Sequence, residues 1–321
     1  MRILVTGGTS LLGTSIIQRL VARGDDVVAF QRSPGSPAQH EVLGDIADRA
    51  ALKVAMVDVE AVIHLAAKVG VTGTEAAFRS ANIDGTRNVL ETARENSAGR
   101  VVHVSSPSVA HAGQPLVGAG ADPADPSTTR GYYSTTKAAA EILALDMSSD
   151  SFPVVAIRPH LVWGPGDTQL VGRIVERARQ GRLVLIGSGS ALIDSTYIDN
   201  AADALVAAVD RAPSLGGRAF VVSNDQPRTV RELLDEIVGA AGLPGPARHV
   251  PTGAAFRGGQ VIEAIWNRSG STVDPPLTSF LAEQLSTAHW FAQRETQEAL
   301  HWHPKVTIEE GFKELTKWFN E

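Results

Sequence analysis

Short apolar, β-prone runs alternate with helical patterns across the first half of the chain, and this alternation restricts the fold more than any other feature. The runs are Arg2 to Val5, Asp26 to Phe30, Val42 to Asp45, Ala61 to Ala67, Val101 to Ser106 and Pro153 to Pro159. Helical patterns separate them: Ile16, Ile17, Leu20 and Val21 first, then Ala47 to Val54 and Glu75 to Glu95. Apolar strands joined through helices need crossover connections, so the pattern predicts a parallel sheet wound on both faces. Ligands of such a sheet bind beyond the carboxyl ends of its strands, where Asp45, Ala66, Ala67 and Ser106 are expected to emerge.

The first of these strand ends carries Thr6-Gly7-Gly8-Thr9-Ser10-Leu11-Leu12-Gly13 before the first helix. A tight glycine turn of this kind brings backbone N–H groups and a helix N-terminus up to a pyrophosphate. Gly7 and Gly13 stand where the first and last glycines of a dinucleotide loop belong, and Ser10 occupies the middle position, where glycine is usual. At the end of the second run an acidic residue would hold a ribose 2′-hydroxyl. Gln31-Arg32-Ser33 stands there instead, and its cation and hydroxyl suit the 2′-phosphate of NADP.

Gly131-Tyr132-Tyr133-Ser134-Thr135-Thr136-Lys137 leads into an apolar run ending at Leu145. In a helix, Tyr133 and Lys137 share one face a turn apart. An ammonium roughly 4 Å from a phenol in a partly shielded cleft is worth about 4 kcal/mol at an effective dielectric of about 20, which favours phenolate. The same spacing is also found on ordinary amphipathic helices, and the pair alone leaves both readings open.

Ala110 to Arg130 is rich in Gly, Ala and Pro without a period, and a loop of that length is expected to be functional or mobile. Beyond Asp167 the alternation loses regularity, with Thr229 and Glu232 forming a capping box for a helix to Ala241. The last third holds four of the five tryptophans, together with Phe256, Phe280, Phe291 and Phe319. These suit either a pocket for bulky apolar ligands or a small domain core. His64 lies inside an apolar strand and reads as a core histidine. His301-x-His303 has no third ligand nearby, and no metal site is expected.

The chain of 321 residues has a net charge of -6 and no long block of Lys or Arg, so neither nucleic acid nor an acidic membrane surface is an expected partner. Its lack of cysteine excludes disulfides, cysteine nucleophiles and Cys-ligated metals, and fits a cytoplasmic address. No apolar run reaches transmembrane length, and the N-terminus reads as a strand and not as a signal segment.

Taken in order, these residues resemble the extended short-chain dehydrogenase/reductase family, and most closely its 3β-hydroxysteroid dehydrogenase branch. The resemblance rests on Thr6-Gly7-Gly8-x-x-x-x-Gly13, Asp45-Ile46, His64-Leu65-Ala66-Ala67, Asn82-Ile83-Asp84-Gly85-Thr86, Ser105-Ser106-Pro107-Ser108-Val109, Tyr133-x-x-x-Lys137, Arg158-Pro159, Gly164-Pro165-Gly166-Asp167 and Tyr197-Ile198-Asp199-Asn200. Within that branch, Phe280 to Leu285 and Ala288 to Phe291 look similar to bacterial reductases acting on 2-alkyl-3-ketoalkanoic acids in long-chain olefin biosynthesis.

The resemblance implies a Rossmann-type doubly wound α/β fold with a smaller, mainly helical C-terminal substrate domain. The cofactor domain would span 1–166, with 195–223 returning to it, and 167–194 and 224–321 would form the substrate region. Ser106, Tyr133 and Lys137 would be catalytic. Gly7, Thr9, Ser10, Leu11, Leu12, Gly13, Arg32, Ser33, Asp45, Ile46, Ala66, Ala67 and Pro159, with Tyr133 and Lys137, would bind NADP(H) by preference, or NAD(H). The reaction implied is hydride transfer between the cofactor and a ketone or secondary alcohol of a bulky apolar substrate, with Tyr133 as proton donor, Ser106 beside it and Lys137 lowering the phenol pKa. A homodimer is compatible with the family. Two alternatives stay open: a nucleotide-sugar epimerase or dehydratase, although dehydratases of the family carry Asp-Glu where this chain has Pro107-Ser108, and a non-catalytic NADP-sensing scaffold.

Overall fold

In the computed structural model, residues 1–111, 113–269, 275 and 277–321 are described, without the side chains of 267–269. β1 (Arg2–Thr6), β2 (Asp26–Gln31), β3 (His40–Leu43), β4 (Ala61–His64) and β5 (Arg100–Val104) join the strands Val154–Pro159 and Ala219–Val222 in one parallel sheet. Its order runs 219–222, 154–159, β5, β4, β1, β2, β3. The order reverses between β1 and β4, and the crevice opened there is the expected ligand position.

Successive side chains of a strand point to opposite faces, so a sheet covered on both sides must be apolar on both. Ile3 and Val5 pack with Ile16, Ile17 and Leu20 of helix α1 (Leu11–Arg23) and with Ala204, Leu205 and Ala208 of the helix Ile198–Leu215. Leu4, Val28, Phe30 and Val62 pack on the other face with Leu52, Val89 and Leu90. The doubly wound sheet expected from the alternation is present. The run Ala61 to Ala67 leaves the sheet at His64, because the Ala66 N–H donates to Thr6 Oγ1 at 3.0 Å. The helical stretch from Glu75 to Glu95 is continuous except for one π-turn, Ser80–Asp84, which carries Asn82.

The stretch from Ala110 to Arg130 differs from its expectation as a structureless loop. It contains the strand Leu116–Ala119, which pairs in parallel with His289–Phe291; the latter pairs with Ile193, and Leu192–Ile193 pairs with Arg228–Thr229. These strands form a second, four-stranded sheet. The capping box of Thr229 and Glu232 is formed as read from the sequence. The remaining C-terminal segment is mainly helical, in Thr252–Ser269, Ser279–Gln284, Arg294–Leu300 and Ile308–Asn320. Asn200 ties it to the large sheet, accepting from the Lys305 and Val306 N–H groups and donating to the Val306 carbonyl. No described helix is long and apolar enough to cross a membrane.

A buried fork joins the helix Gly131–Asp146 to the sheet. Arg158 Nε and Nη2 donate to Glu141 at 2.9 and 2.5 Å, and Nη1 donates to the Asp122 carbonyl at 2.8 Å. Both side chains are 1% exposed. Removing one member of such a pair leaves an uncompensated buried charge, which costs about 3–5 kcal/mol. Arg158→Met is expected to lower the unfolding free energy by that amount in urea titration. A loss under about 1 kcal/mol, the range of exposed pairs, would show that the fork contributes little.

Candidate active site

The helix Gly131–Asp146 starts at Gly131 with φ +80° and carries Tyr133, Lys137 and Glu141 on one face, each a turn below the last. The end of β5 lies against this face. Ser106 follows β5 and caps the short 3-10 turn Pro107–Ala110, its Oγ accepting from Ser108 N at 3.3 Å and lying 3.0 Å from Ser108 Oγ. The Ser106 hydroxyl stands beside the Tyr133 phenol, and both line one cavity. Ser106, distant in sequence, thus converges with the Tyr133–Lys137 helix.

The electrostatics depart from the sequence reading. Lys137 is 3% exposed and its Nζ donates to the Val104 carbonyl at 2.6 Å. The Tyr133 phenol is raised above its ordinary value, chiefly by burial, and the neighbouring Ser106 hydroxyl opposes the rise. Lys137 makes no contribution to it in this geometry, so the expectation that the ammonium lowers the phenol is not met. The ammonium donates to the β5 carbonyl of Val104.

Asn82, from the π-turn, is 1% exposed; its Nδ2 donates to Thr136 Oγ1 at 3.0 Å and to the Lys68 carbonyl at 3.1 Å, while its Oδ1 accepts from Lys68 N at 2.7 Å. A π-turn commonly marks such a functional distortion. His64 is a core residue as read. Its Nδ1 is hydrogen-bonded to Thr6 Oγ1 at 2.8 Å and its Nε2 to Thr86 Oγ1 at 3.0 Å, and Thr6 Oγ1 also accepts from Ala66 N. Burial, and then Lys137, hold its pKa down to about 3, so it stays neutral.

At the switch point, Gly7 has φ +76°, and a Cβ there would stand 3.3 Å from Ala66 N. A Cβ on Gly13 would meet the Gly7 carbonyl and lie 2.9 Å from Gly8 Cα. Ser10 is accommodated without strain: its φ is -69°, and its Oγ caps α1 by accepting from Gly13 N at 3.0 Å and donating to Gly7 O at 2.8 Å. Thr9, Leu11 and Leu12 flank this turn, Ala66 and Ala67 follow β4, and Pro159 closes its strand on the same edge of the sheet. Asp45 is exposed beyond β3 with Oδ1 accepting from Ala47 N at 2.9 Å, and Ile46 packs beneath it against Gly85. Arg32 and Ser33 are exposed past β2, and the loop that bears them is shaped by a residue sequence reading missed. Glu41 Oε1 accepts from Gln31 Nε2 at 2.6 Å and from Gly35 N, Ser36 N and Ser36 Oγ at 3.0 Å. A cradle that a Cβ would fill, at a helix N-terminus, fits a dinucleotide pyrophosphate.

Two cavities open beside Tyr133. The smaller, about 260 Å³, is lined by Ser106, His111, Tyr133, His160, Leu285 and Phe291 among others. The larger, about 890 Å³, is lined by Lys68, Phe78, Arg130, Tyr132, Tyr133 and Trp266 among others. Phe280 lines both. The aromatic residues of the last third are therefore divided. Phe280, Trp266 and Phe291 face cavities, Trp302 belongs to the core under the large sheet, and Trp318 is exposed. Arg257 is exposed, Arg294 pairs with Glu298 at 2.9 Å, and the side chain of Arg268 lies outside the described residues; neither Arg257 nor Arg294 lines either of these two cavities. His301 and His303 are exposed.

This geometry is that of a nucleotide-dependent enzyme, and the chain belongs to the NAD dependent epimerase/dehydratase family, whose model matches residues 3–223. Its relatives are named reductases and dehydrogenases, and the chain is an NAD(P)-dependent oxidoreductase of this family. It is 42% identical to a 2-alkyl-3-oxoalkanoate reductase of Stenotrophomonas maltophilia over 98% of both chains. A second protein of that name, from Shewanella oneidensis, is 35% identical over 97% of this chain and 84% of its own. The human sterol-4-alpha-carboxylate 3-dehydrogenase, decarboxylating, is 28% identical over 99% of this chain and 88% of its own. Among solved structures, Pal from Bacillus thuringiensis (TM-score 0.76, 22% identity, 100% and 99% of the chains) and the UDP-glucuronic acid 4-epimerase of Bacillus cereus in complex with NAD (0.75, 19%, 100% and 99%) share the fold.

Burial lowers the Lys137 pKa to about 8, with Glu141 opposing. In the unfolded chain the group holds its proton up to about 10.4. Between these values the unfolded state binds more protons, so the contribution of Lys137 to stability rises with pH in that window. Urea unfolding of the wild type and Lys137→Met from about pH 8 to about pH 10 should show a steeper rise for the wild type. Parallel curves would mean that the ammonium is not held down by burial.

Proposed function

We propose that the protein is an NADP(H)-preferring, cytoplasmic oxidoreductase that interconverts a ketone and a secondary alcohol on a bulky apolar substrate carrying a carboxylate, of the 2-alkyl-3-oxoalkanoate type. The observation that carries the reading is the pair of neighbouring hydroxyls of Ser106 and Tyr133, which open onto one small cavity with a largely apolar lining. The nicotinamide, when bound, supplies the hydride. Tyr133 gives its proton to the carbonyl oxygen in reduction, and Ser106 donates a second hydrogen bond to that oxygen. A phenol whose pKa is raised by burial stays protonated at neutral pH, which suits a donor. Lys137, a turn below, is assigned to the cofactor ribose. Gly7, Gly13, Ser10 and the first turn of α1, with Leu11 and Leu12, are assigned to the pyrophosphate, Ala66, Ala67 and Pro159 to the nicotinamide side, and Asp45 and Ile46 to adenine. The smaller cavity has no Lys or Arg among its lining residues.

Tyr133→Phe is expected to reduce turnover more than tenfold, or at least about 1.4 kcal/mol of barrier, while leaving NADPH affinity unchanged by fluorescence titration. Retention of more than a tenth of the wild-type rate would require another proton donor. For cofactor choice, Arg32 is exposed with no ion pair among the described residues. Arg32→Ala should weaken NADP(H) binding by on the order of tenfold, the value of one charge-assisted hydrogen bond, and leave NAD(H) unchanged. Equal wild-type affinities for both cofactors, unmoved by the substitution, would remove the basis for an NADP preference.

A further inference from the structure

A carbonyl carbon held beside Tyr133 and Ser106 has two substituents, and they must diverge. Two cavities diverge from the same tyrosine, with Phe280 lining both. Their chemistry differs. The smaller is walled by Leu116, Leu161, Ile193, Leu285 and Phe291, with no cation. The larger contains Lys68 and Arg130.

Of these cations, Arg130 is committed, since its Nη1 donates to Glu283 at 2.8 Å and that carboxylate is 9% exposed. The acid in the same cavity, Glu263, accepts from Ser279 N and Oγ. Lys68 has no carboxylate partner among the described residues; its Nζ lies over the Phe78 ring, 4.9 Å from the centroid. Its backbone is clamped on both sides by Asn82, which also bonds Thr136 on the Tyr133 helix. Lys68 is thereby registered against the phenol. Gly73, with φ +125°, leaves the slot for its stem, since a Cβ there would stand 2.8 Å from Lys68 Cε.

The substrates for which two of the relatives are named share one chemical pattern. A 2-alkyl-3-oxoalkanoate and a sterol 4-carboxylate acted on at carbon 3 both bear a carboxylate on the carbon next to the reacting one. We propose that Lys68 receives this carboxylate, and that the two cavities sort the substrate, the chain on the carbonyl carbon entering the smaller and the arm bearing carboxylate and second alkyl group entering the larger. The inference rests on the functional reading above and adds the residue and the geometry of recognition.

The test uses the oxidative direction, because hydroxy acids are stable where β-keto acids lose carbon dioxide. Wild type, Lys68→Met and Lys68→Arg are given NADP⁺ with a 2-alkyl-3-hydroxyalkanoic acid or its methyl ester, and NADPH formation is followed. Lys68→Met should raise KM for the acid by on the order of ten- to a hundredfold, as expected for a lost hydrogen bond to a charged group, and leave the ester unchanged. Lys68→Arg should restore most of the loss, and NADPH affinity should be the same in all three. Leu285→Trp, and separately Ile193→Phe, should exclude acids with a long chain on the carbinol carbon but accept those whose long chain is on carbon 2. Equal losses on acid and ester, or weakened NADPH binding in Lys68→Met, overturn the assignment of Lys68. Equal effects of the cavity-filling variants on both chains overturn the sorting. A wild type inactive on acid and ester alike overturns the functional reading and this inference together, whereas activity with the Lys68 pattern absent overturns only the inference.

Discussion

The doubly bonded pair of Arg158 and Glu141 fixes the relation between the sheet and the helix that carries Tyr133 and Lys137. Two charges taken fully out of water are tolerated only when their geometry is good and their remaining hydrogen-bonding capacity is used. Here the third guanidinium nitrogen holds the Asp122 carbonyl, so one cation locks a strand, a helix and the segment leading to Arg130. Glu141 lies one turn from Lys137 and Lys137 one turn from Tyr133. A rotation of the helix that misaligned the phenol would therefore have to break a buried ion pair first. Rigid support of this kind is what positioning a reacting atom demands.

A second consequence concerns charge. Lys137 is buried, and its ammonium has a partial counterweight in Glu141 and a direct acceptor in the Val104 carbonyl. The phenol above it rests in its neutral form. Histidines near this region are also neutral: His64 is held by two threonines, and His103, fully buried, is pushed well below its usual value by burial. Apart from the Lys137 ammonium, the base of the site thus carries no charged proton donor among these groups, and Tyr133 and Ser106 are the hydroxyls facing the smaller cavity.

Much of this was legible in the chain. The large sheet could be read because strands covered on both faces are continuously apolar, and the tight glycine turn because its glycines are required by close backbone approach at Gly7 and Gly13. The convergence of Ser106, Tyr133 and Lys137 followed from spacing together with family resemblance. What escaped had distant partners. Leu116–Ala119 is four residues long, includes Gly118 at φ +59°, and pairs with a strand near the other end of the chain, so no local pattern announces it. Lys68 follows a strand end without any motif of its own, and Glu41 acts on a loop through backbone N–H groups that have no sequence signature. The direction of the Lys137 ammonium was set by a carbonyl, which every residue possesses.

The small four-stranded sheet separates two kinds of change that a family of this fold must reconcile. Its strands, of two to four residues each, come from four separate stretches of the chain and contribute nothing to the large parallel sheet. Yet Leu116, Ile193, His289 and Phe291, all from this sheet, wall the smaller cavity. Altering one of those positions reshapes what the cavity accepts without entering the hydrogen-bonded ladder that carries the glycine turn. Divergence in substrate among descendants of one ancestral chain can accordingly proceed through single substitutions in short, peripheral strands, while the nucleotide machinery is inherited unaltered.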